Sequence, residues 1–225
     1  EEFPEQAAAS ALKTEDVMAS SLLPPYDKST PDVALIYSVS GLIPAECYKA
    51  LPVEEIARLS VKSSKDEIEA IQYKFGIKDF WMNRILTAPR DDGNHSIRLL
   101  LFAHFLSSFR ELKEAAINGP DGSVVAIQSC LFECPEIVII DLLNRFADRI
   151  NSTSTNQNNS SNFLGNAKHK LPNMLRDKAI LYILVILLHL DGFRVNVTGL
   201  AETFAMSVTK LVSFFKALGC TIDRP

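Results

Sequence analysis

The clearest pattern of apolar and polar positions lies near the C-terminus. Residues 179–190 are apolar on nearly every side, which predicts a central helix that is buried all round. Asp191 and Gly192 end this helix. Residues 193–197 then alternate between apolar and polar side chains, which is the period of a short strand.

A second helix is predicted to begin at Thr198, whose hydroxyl can cap its first turn. Its inward side is predicted to carry Leu200, Ala201 and Phe204. A tight turn follows at residues 205–207, and Ser207 can cap the final helix of the chain. The predicted order is therefore helix, strand, helix, turn and helix.

The final predicted helix has two faces of different character. The core side carries Val208, Leu211, Val212, Phe215 and Leu218. The opposite side carries Thr209, Lys210, Ser213, Lys216 and Ala217. Small polar residues with two lysines suit a helix that lies against a phosphate-lined groove. Gly219 fits the position after the helix, and residues 220–222 predict the start of a strand.

This order of elements is that of a winged helix, with a wing that is short or lies partly beyond the sequence. Winged helices bind nucleic acid or pack against proteins, and the order alone favours neither. The charge distribution favours nucleic acid. Residues 165–225 carry eight Lys or Arg against four Asp or Glu, whereas the remainder carries 15 against 23. Such an asymmetry indicates a polyanion partner or a solvated surface.

The middle of the chain repeats the same three-helix order. The predicted helices span residues 97–112, capped by Ser96, then residues 124–131 and residues 135–148. The outward face of the third helix would carry Glu136, Asp141, Asn144, Arg145 and Asp148. Because this face is acidic on balance, it would repel phosphate, and the first module is expected to pack or position rather than read DNA.

Residues 149–177 are predicted to form the long wing of this first module. Within them, residues 151–162 are all Asn, Ser, Thr or Gln, so they read as a mobile insertion in a loop. Basic residues cluster near the return of the wing: Lys168, His169, Lys170, Arg176 and Lys178. The lysines among them could contact phosphate without reading bases.

The N-terminal part completes a mainly α fold with short β wings. Residues 1–30 are predicted to be a linker, with one helix over residues 5–20. Short packing helices begin near Asp32. The predicted domains are residues 31–175 for the first winged helix, with these packing helices, and residues 176–225 for the second.

Other kinds of site find no support in the sequence. The four histidines lack metal-ligand spacing, and His104 and His189 fall on apolar helices where core packing is expected. Neither a phosphate-binding loop nor a nucleophile motif is present. Four cysteines without a scaffold pattern favour a reducing compartment. The longest apolar run has about a dozen residues, short of the ~20 that a membrane span needs. We therefore expect no enzyme, cofactor, metal or membrane association.

Three segments carry a resemblance to a known family: Tyr182-Ile183-Leu184, residues 189–193 and residues 210–219. They resemble the C-terminal region of the larger, forty-nine-kilodalton TFIIF-like subunit of RNA polymerase I. Weaker similarity extends the match to residues 25–223, and the Asn/Ser insertion departs from the family pattern. The resemblance implies a TFIIE-like tandem winged-helix domain that binds double-stranded DNA over the polymerase cleft.

It further implies a non-catalytic, nucleolar role in polymerase I initiation and elongation. The expected partners are other polymerase I subunits and the polymerase I initiation factor. The smaller TFIIF-like subunit would be bound through an N-terminal domain that this sequence lacks.

The residues predicted to contact DNA are Lys210, Lys216, Arg194, Lys168, Lys170, Arg176, Lys178, Thr209 and Ser213. The alternative is a scaffold that docks on the polymerase or its initiation factor without touching DNA.

Overall fold

The computed structural model describes residues 21–119, 123–150 and 168–223, so the helix predicted over residues 5–20 and the insertion at 151–162 lie outside it. The described part is mainly helical with one two-stranded sheet. Its first helices are α1 (Val33–Ile36), α2 (Val39–Leu42), α3 (Ala45–Ala50), α4 (Val53–Ile56), α5 (Lys65–Phe75) and α6 (Asp79–Thr87). The central ones are α7 (His95–Glu111), α8 (Glu114–Ile117), α9 (Ser123–Gln128) and α10 (Glu136–Phe146). Strands β1 (Asp148–Ile150) and β2 (Lys168–Lys170) follow, and then α11 (Asn173–Leu190), α12 (Val197–Thr203) and α13 (Val208–Ala217).

Short helices make up the N-terminal layer because polar caps and prolines interrupt it at close intervals. Asp32 and Ser38 cap α1 and α2 with their side chains. Pro44 and Pro52 precede α3 and α4, which suits the proline ring because it has no N–H to donate. Farther on, Ser64 and Glu67 form a reciprocal capping box at the start of α5.

Two long helices form the centre of the core. From Ala179 onward helix α11 is apolar on nearly every side, and residues 179–188 are all buried, as the sequence predicts. It packs along α7, which is buried over most of its length. One continuous apolar core runs from Tyr37 in the N-terminal layer to Leu218 beyond α13. The predicted boundary at residue 176 falls inside α11, which begins at Asn173.

The sheet is a β-hairpin that lies where the sequence predicts the wing of the first module. Strands β1 and β2 are antiparallel, with Asp148 opposite Lys170 and Ile150 opposite Lys168. The side chains of β2 alternate between exposed, buried and exposed. This alternation directs Lys168 and Lys170 to the outer face of the hairpin.

Two predicted strands in the C-terminal module are wrong. Residues 194–196 form a loop and Val197 already begins α12, while residues 220–222 lie outside regular structure. Phe193 has φ of 62°, a left-handed conformation that interrupts an extended run at its first residue. With no pairing partner among the described residues, neither segment completes a ladder.

Two predicted caps are also wrong, each by two residues. Asn94 rather than Ser96 is the N-cap of α7. Asn196 rather than Thr198 caps α12, and its side chain accepts a hydrogen bond from the Thr198 backbone N–H. The predicted Ser207 cap of α13 is confirmed, since the hydroxyl accepts from the Lys210 backbone N–H at 3.2 Å.

The two faces of α13 follow the prediction with two exceptions on the core side. Leu211, Phe215 and Leu218 are buried, as predicted. Val208 is 45% exposed, and Val212 is only partly buried. No helix within residues 21–119, 123–150 and 168–223 combines the length and apolar character that crossing a membrane requires.

Candidate nucleic-acid interface

The residues predicted to contact DNA fall into three groups in the structure. Helix α13 and the loop before α12 carry Thr209, Lys210, Ser213, Lys216 and Arg194, all of them exposed. The outer face of the hairpin carries the exposed Lys168 and Lys170. Arg176 and Lys178, near the start of α11, are only partly exposed. The nine residues therefore do not form one uniform surface.

Along α13, Thr209, Ser213 and Lys216 occupy positions i, i+4 and i+7 and share one exposed stripe. The Ser213 hydroxyl donates to the carbonyl of Lys210 at 2.7 Å, so it already has an internal acceptor. Among the described residues, the ammonium group of Lys216 has no acidic partner. Lys216 is the lysine of this helix with a fully available charge.

Lys210 lies at the edge of that stripe, on the side facing α11. Its Nζ is 2.8 Å from Oδ1 of Asp177, and it also lies over the Phe214 ring, 5.4 Å from the centroid. The two side chains of the ion pair keep 45% and 28% of their accessible surface. The positive charge of Lys210 is partly offset but remains open to solvent.

Arg176 uses its guanidinium inside the protein. It donates to the carbonyls of Leu171 at 3.2 Å and Leu112 at 2.7 Å, and also to that of Arg110. Two of these acceptors lie at the C-terminal end of α7, where the last carbonyls of a helix lack intrahelical partners. Arg176 thereby fastens the start of α11 to the end of α7.

Lys178 is similarly occupied. Its Nζ donates to the Arg145 carbonyl at 3.2 Å and lies 5.6 Å from the centroid of the Phe146 ring. Burial lowers its pKa, and the charge of Arg145 lowers it further. This lysine joins α11 to the end of α10.

Helix α10, the third helix of the first module, presents the predicted outward face only in part, since Glu136, Asn144 and Asp148 are exposed and the other two residues are not. Asp141 and Arg145 are half-buried and paired with each other, and Arg145 also donates to the Leu42 carbonyl at 2.8 Å. The N-terminal layer covers this side, since the Cys47 thiol contacts the Ile137 carbonyl. Sequence periodicity could not reveal the covering layer, because it describes one helix at a time.

The exposed basic groups are spread along α11. The hairpin lysines immediately precede α11, and Lys210 pairs with Asp177 in its second turn. Arg194 follows the other end of α11, in the loop that lines a groove of about 520 Å³ with Phe193 and Ile222. Helix α11 has 18 residues and is about 27 Å long, a length that about eight base pairs of DNA span.

Asn118 contacts the hairpin and is absent from the predicted site. Its side-chain amide donates to the carbonyl of His169 at 2.7 Å and accepts from the N–H of His169 at 2.7 Å. A lone Asn before Gly119 looks like an ordinary turn residue in the sequence, so no local signal could have singled it out.

The predicted core histidines have internal partners. His104 is 2% exposed and its Nε2 lies 3.3 Å from the Phe75 carbonyl. Burial lowers its pKa to about 4, so the ring is neutral near pH 7. His189 contacts the Tyr37 carbonyl at 2.7 Å from a partly buried position. Within the described part of the chain, no group of three or more His, Cys, Asp or Glu could hold a metal ion.

Comparison with known proteins agrees with the resemblance read from the sequence. The family model for the A49-like RNA polymerase I associated factors matches residues 3–225. The chain therefore belongs to the A49-like RNA polymerase I associated factor family.

Two relatives are RNA polymerase I subunits of yeasts. The DNA-directed RNA polymerase I subunit RPA49 of Saccharomyces cerevisiae is 25% identical over 203 residues, covering 87% of this chain and 45% of the relative. The rpa49 subunit of Schizosaccharomyces pombe is 22% identical over 222 residues, covering 96% of this chain and 47% of the relative. The chain thus spans about half the length of these relatives.

Proposed function

We propose that this chain is the DNA-binding tandem winged-helix domain of a non-catalytic RNA polymerase I subunit. It contacts double-stranded DNA over the polymerase cleft and supports initiation and elongation on rRNA genes in the nucleolus. Its membership of the A49-like family and the names of its yeast relatives support the link to polymerase I. The smaller TFIIF-like subunit, other polymerase subunits and the polymerase I initiation factor are the protein partners in this proposal.

The order of the helices supports the tandem arrangement. Helices α7, α9 and α10 with the β1–β2 hairpin make one three-helix set with a wing, and α11, α12 and α13 make the other. In the first set, the N-terminal layer covers the side of α10 that carries Arg145, and Glu136 on the exposed side would repel phosphate, so the hairpin is the part that reaches DNA. In the second set, the exposed stripe of α13 faces solvent.

The observation that carries the DNA assignment is the exposure of Lys168 and Lys170 on the hairpin that precedes α11, and of Lys216 on α13, whose Lys210 pairs with Asp177 of α11. These lysines contact phosphates, and Lys210 and Arg194 extend the same surface. Thr209 and Ser213 offer hydroxyls to the backbone of the duplex. Arg176 and Lys178 act indirectly, by adding positive potential and holding α11 in place. Because most of these groups are phosphate partners rather than base readers, binding is weakly selective for sequence.

A titration of fluorescent duplex DNA against salt tests this function. The Lys168→Ala/Lys170→Ala variant and Lys216→Ala should each weaken binding, and each lost phosphate contact should reduce the slope of log affinity against log salt by about 0.9. Lys62→Ala is the matched control, since Lys62 is exposed but lies in the N-terminal layer. Equal affinity and slope for all four proteins would contradict the proposal.

The second candidate function is protein docking without DNA contact. It is favoured by exposed apolar side chains on the acidic N-terminal part, among them Leu35 at 58% and Tyr73 at 89%. This candidate predicts that the isolated chain leaves duplex DNA unbound at low salt. It also predicts that Leu35→Ser or Tyr73→Ser weakens binding to polymerase I while the lysine variants do not.

A further inference from the structure

The backbone of β2 has two different hydrogen-bonding edges. In an antiparallel pair, the N–H and C=O of one residue point toward the same edge of its strand. His169 lies opposite Arg149, yet both of its backbone groups bond to the side chain of Asn118 at 2.7 Å. The His169 backbone therefore faces away from β1, and the backbones of Lys168 and Lys170 face toward it.

The Asn118 amide takes the place that a third strand would occupy. A primary amide supplies one acceptor and a donor group, which match the N–H and C=O of a single strand residue. Asn118 is itself held in place as the C-cap of α8, where its backbone N–H donates to the Glu114 carbonyl at 3.2 Å. Its neighbour Gly119 lies against Ala126, where an added Cβ would come within 2.7 Å. The Asn118 side chain is thus held by a backbone that is capped and closely packed.

The side chain of His169 adds a second anchor. It is 3% exposed, and its Nδ1 lies 2.9 Å from the Ser123 hydroxyl. Because side chains alternate along a strand, fixing His169 inward fixes Lys168 and Lys170 outward. A two-stranded hairpin is marginally stable by itself, so the direction of these lysines depends on contacts outside the hairpin.

We propose that Asn118 is a positioning residue for DNA binding, which acts by holding β2 so that Lys168 and Lys170 face the phosphate backbone. This inference rests on the proposed function. Asn118 itself touches no DNA. Its removal would take the Asn118 amide away from the His169 N–H and C=O and would let the hairpin turn its lysines away from the duplex.

The test compares Asn118→Ala in two backgrounds. In the otherwise unchanged chain, Asn118→Ala should expose the His169 amide to hydrogen exchange and lower DNA affinity toward that of Lys168→Ala/Lys170→Ala. In the background that already lacks both lysines, adding Asn118→Ala should change affinity by less than about two-fold, because sites that act through one another are not additive. Asn144→Ala is the matched control, since Asn144 is an exposed residue of the same module.

Asn118→Asp provides a second variant of nearly the same shape. It keeps the acceptor for the His169 N–H but sets a charged oxygen against the His169 carbonyl, so its affinity should be no higher than that of Asn118→Ala. Circular dichroism checks that each variant is folded.

An equal loss of affinity in both backgrounds, or an unchanged exchange rate at His169, would overturn the inference. If removing both lysines leaves affinity unchanged, the proposed DNA contact of the hairpin is wrong and the inference fails with it. If the lysines matter and Asn118 does not, the inference alone fails.

Discussion

A single carboxylate limits what Lys210 can offer to a phosphate. Asp177 holds its ammonium group at 2.8 Å, with both side chains partly open to solvent. Exposed ion pairs of this kind contribute about 0.2–1 kcal/mol, because solvent and salt screen them. A phosphate can therefore compete for Lys210, at the cost of leaving Asp177 near a negative charge.

Replacing Asp177 with Asn should strengthen DNA binding. The change removes both the competing partner and a like charge facing the phosphates, so affinity should rise by about two- to five-fold at low salt. The slope of log affinity against log salt should become steeper by up to about 0.9, the value for one additional phosphate contact. Both quantities come from the same fluorescence titration. In a Lys210→Ala background the gain from Asp177→Asn should shrink, and an undiminished gain there would mean that Lys210 is not the residue released.

The helical period predicts the exposure of single residues well but not their partners. It places Thr209, Ser213 and Lys216 on the outer side of α13, where the structure has them. It cannot show that Arg176 caps the end of α7, because the carbonyls involved come from residues more than sixty positions earlier. Long side chains of this type find acceptors that only the tertiary fold brings near.

At the scale of elements, α10 is the helix whose role the structure alters most. Arg145 bridges it to the N-terminal layer through the Leu42 carbonyl, and its guanidinium lies 5.1 Å from the centroid of Phe146 and 5.5 Å from that of Tyr182. Burial raises the pKa of Asp141, although its hydrogen bond and ion pair with Arg145 oppose that shift. Helix α10 is thus a packing element, joined to the N-terminal layer by Arg145, whose charge is paired with Asp141 within the helix.

Arg145→Ala should destabilise the protein by about 3 kcal/mol near pH 7, because it leaves the half-buried carboxylate of Asp141 without its charge partner. With its partner gone, the pKa of Asp141 in the folded state rises further above its unfolded value. The folded state then binds more protons than the unfolded state, so the loss of stability should be greatest at neutral pH and shrink toward about pH 4. Urea unfolding near pH 7 and near pH 4 measures the free energy of unfolding of wild type and variant.

The matched control is Arg145→Ala combined with Asp141→Ala. Because the double variant leaves no charge unpaired, it should be more stable near pH 7 than Arg145→Ala alone. Neither variant should alter the salt dependence of DNA binding. A double variant less stable than the single one would show that the carboxylate is not what makes the loss of Arg145 costly.

At the scale of the whole molecule, the two predicted modules share one core. Helices α7 and α11 pack along each other, and the shared core continues from the N-terminal layer to the end of α13. Arg84 of α6 donates to both carboxylate oxygens of Asp191 at 2.8 Å, beyond the end of α11. The sequence predicts the helices of each module from their periodicity. The shared core has no signature in the sequence, because nothing in a local pattern distinguishes a core that is shared from two cores in succession.

A shared core should make unfolding a single cooperative transition. Ile56 in α4 and Leu211 in α13 are both fully buried at opposite ends of the described chain. Truncating either to Ala should cost about 2–5 kcal/mol and lower the midpoint of the entire transition. Trp81 fluorescence, which reports on a buried ring 6.4 Å from Phe204, and far-ultraviolet circular dichroism should then remain coincident in both variants. Two independent modules would instead keep part of the dichroism signal at the wild-type midpoint in each variant. That pattern would show that the core shared through α7 and α11 does not couple the unfolding of the two modules.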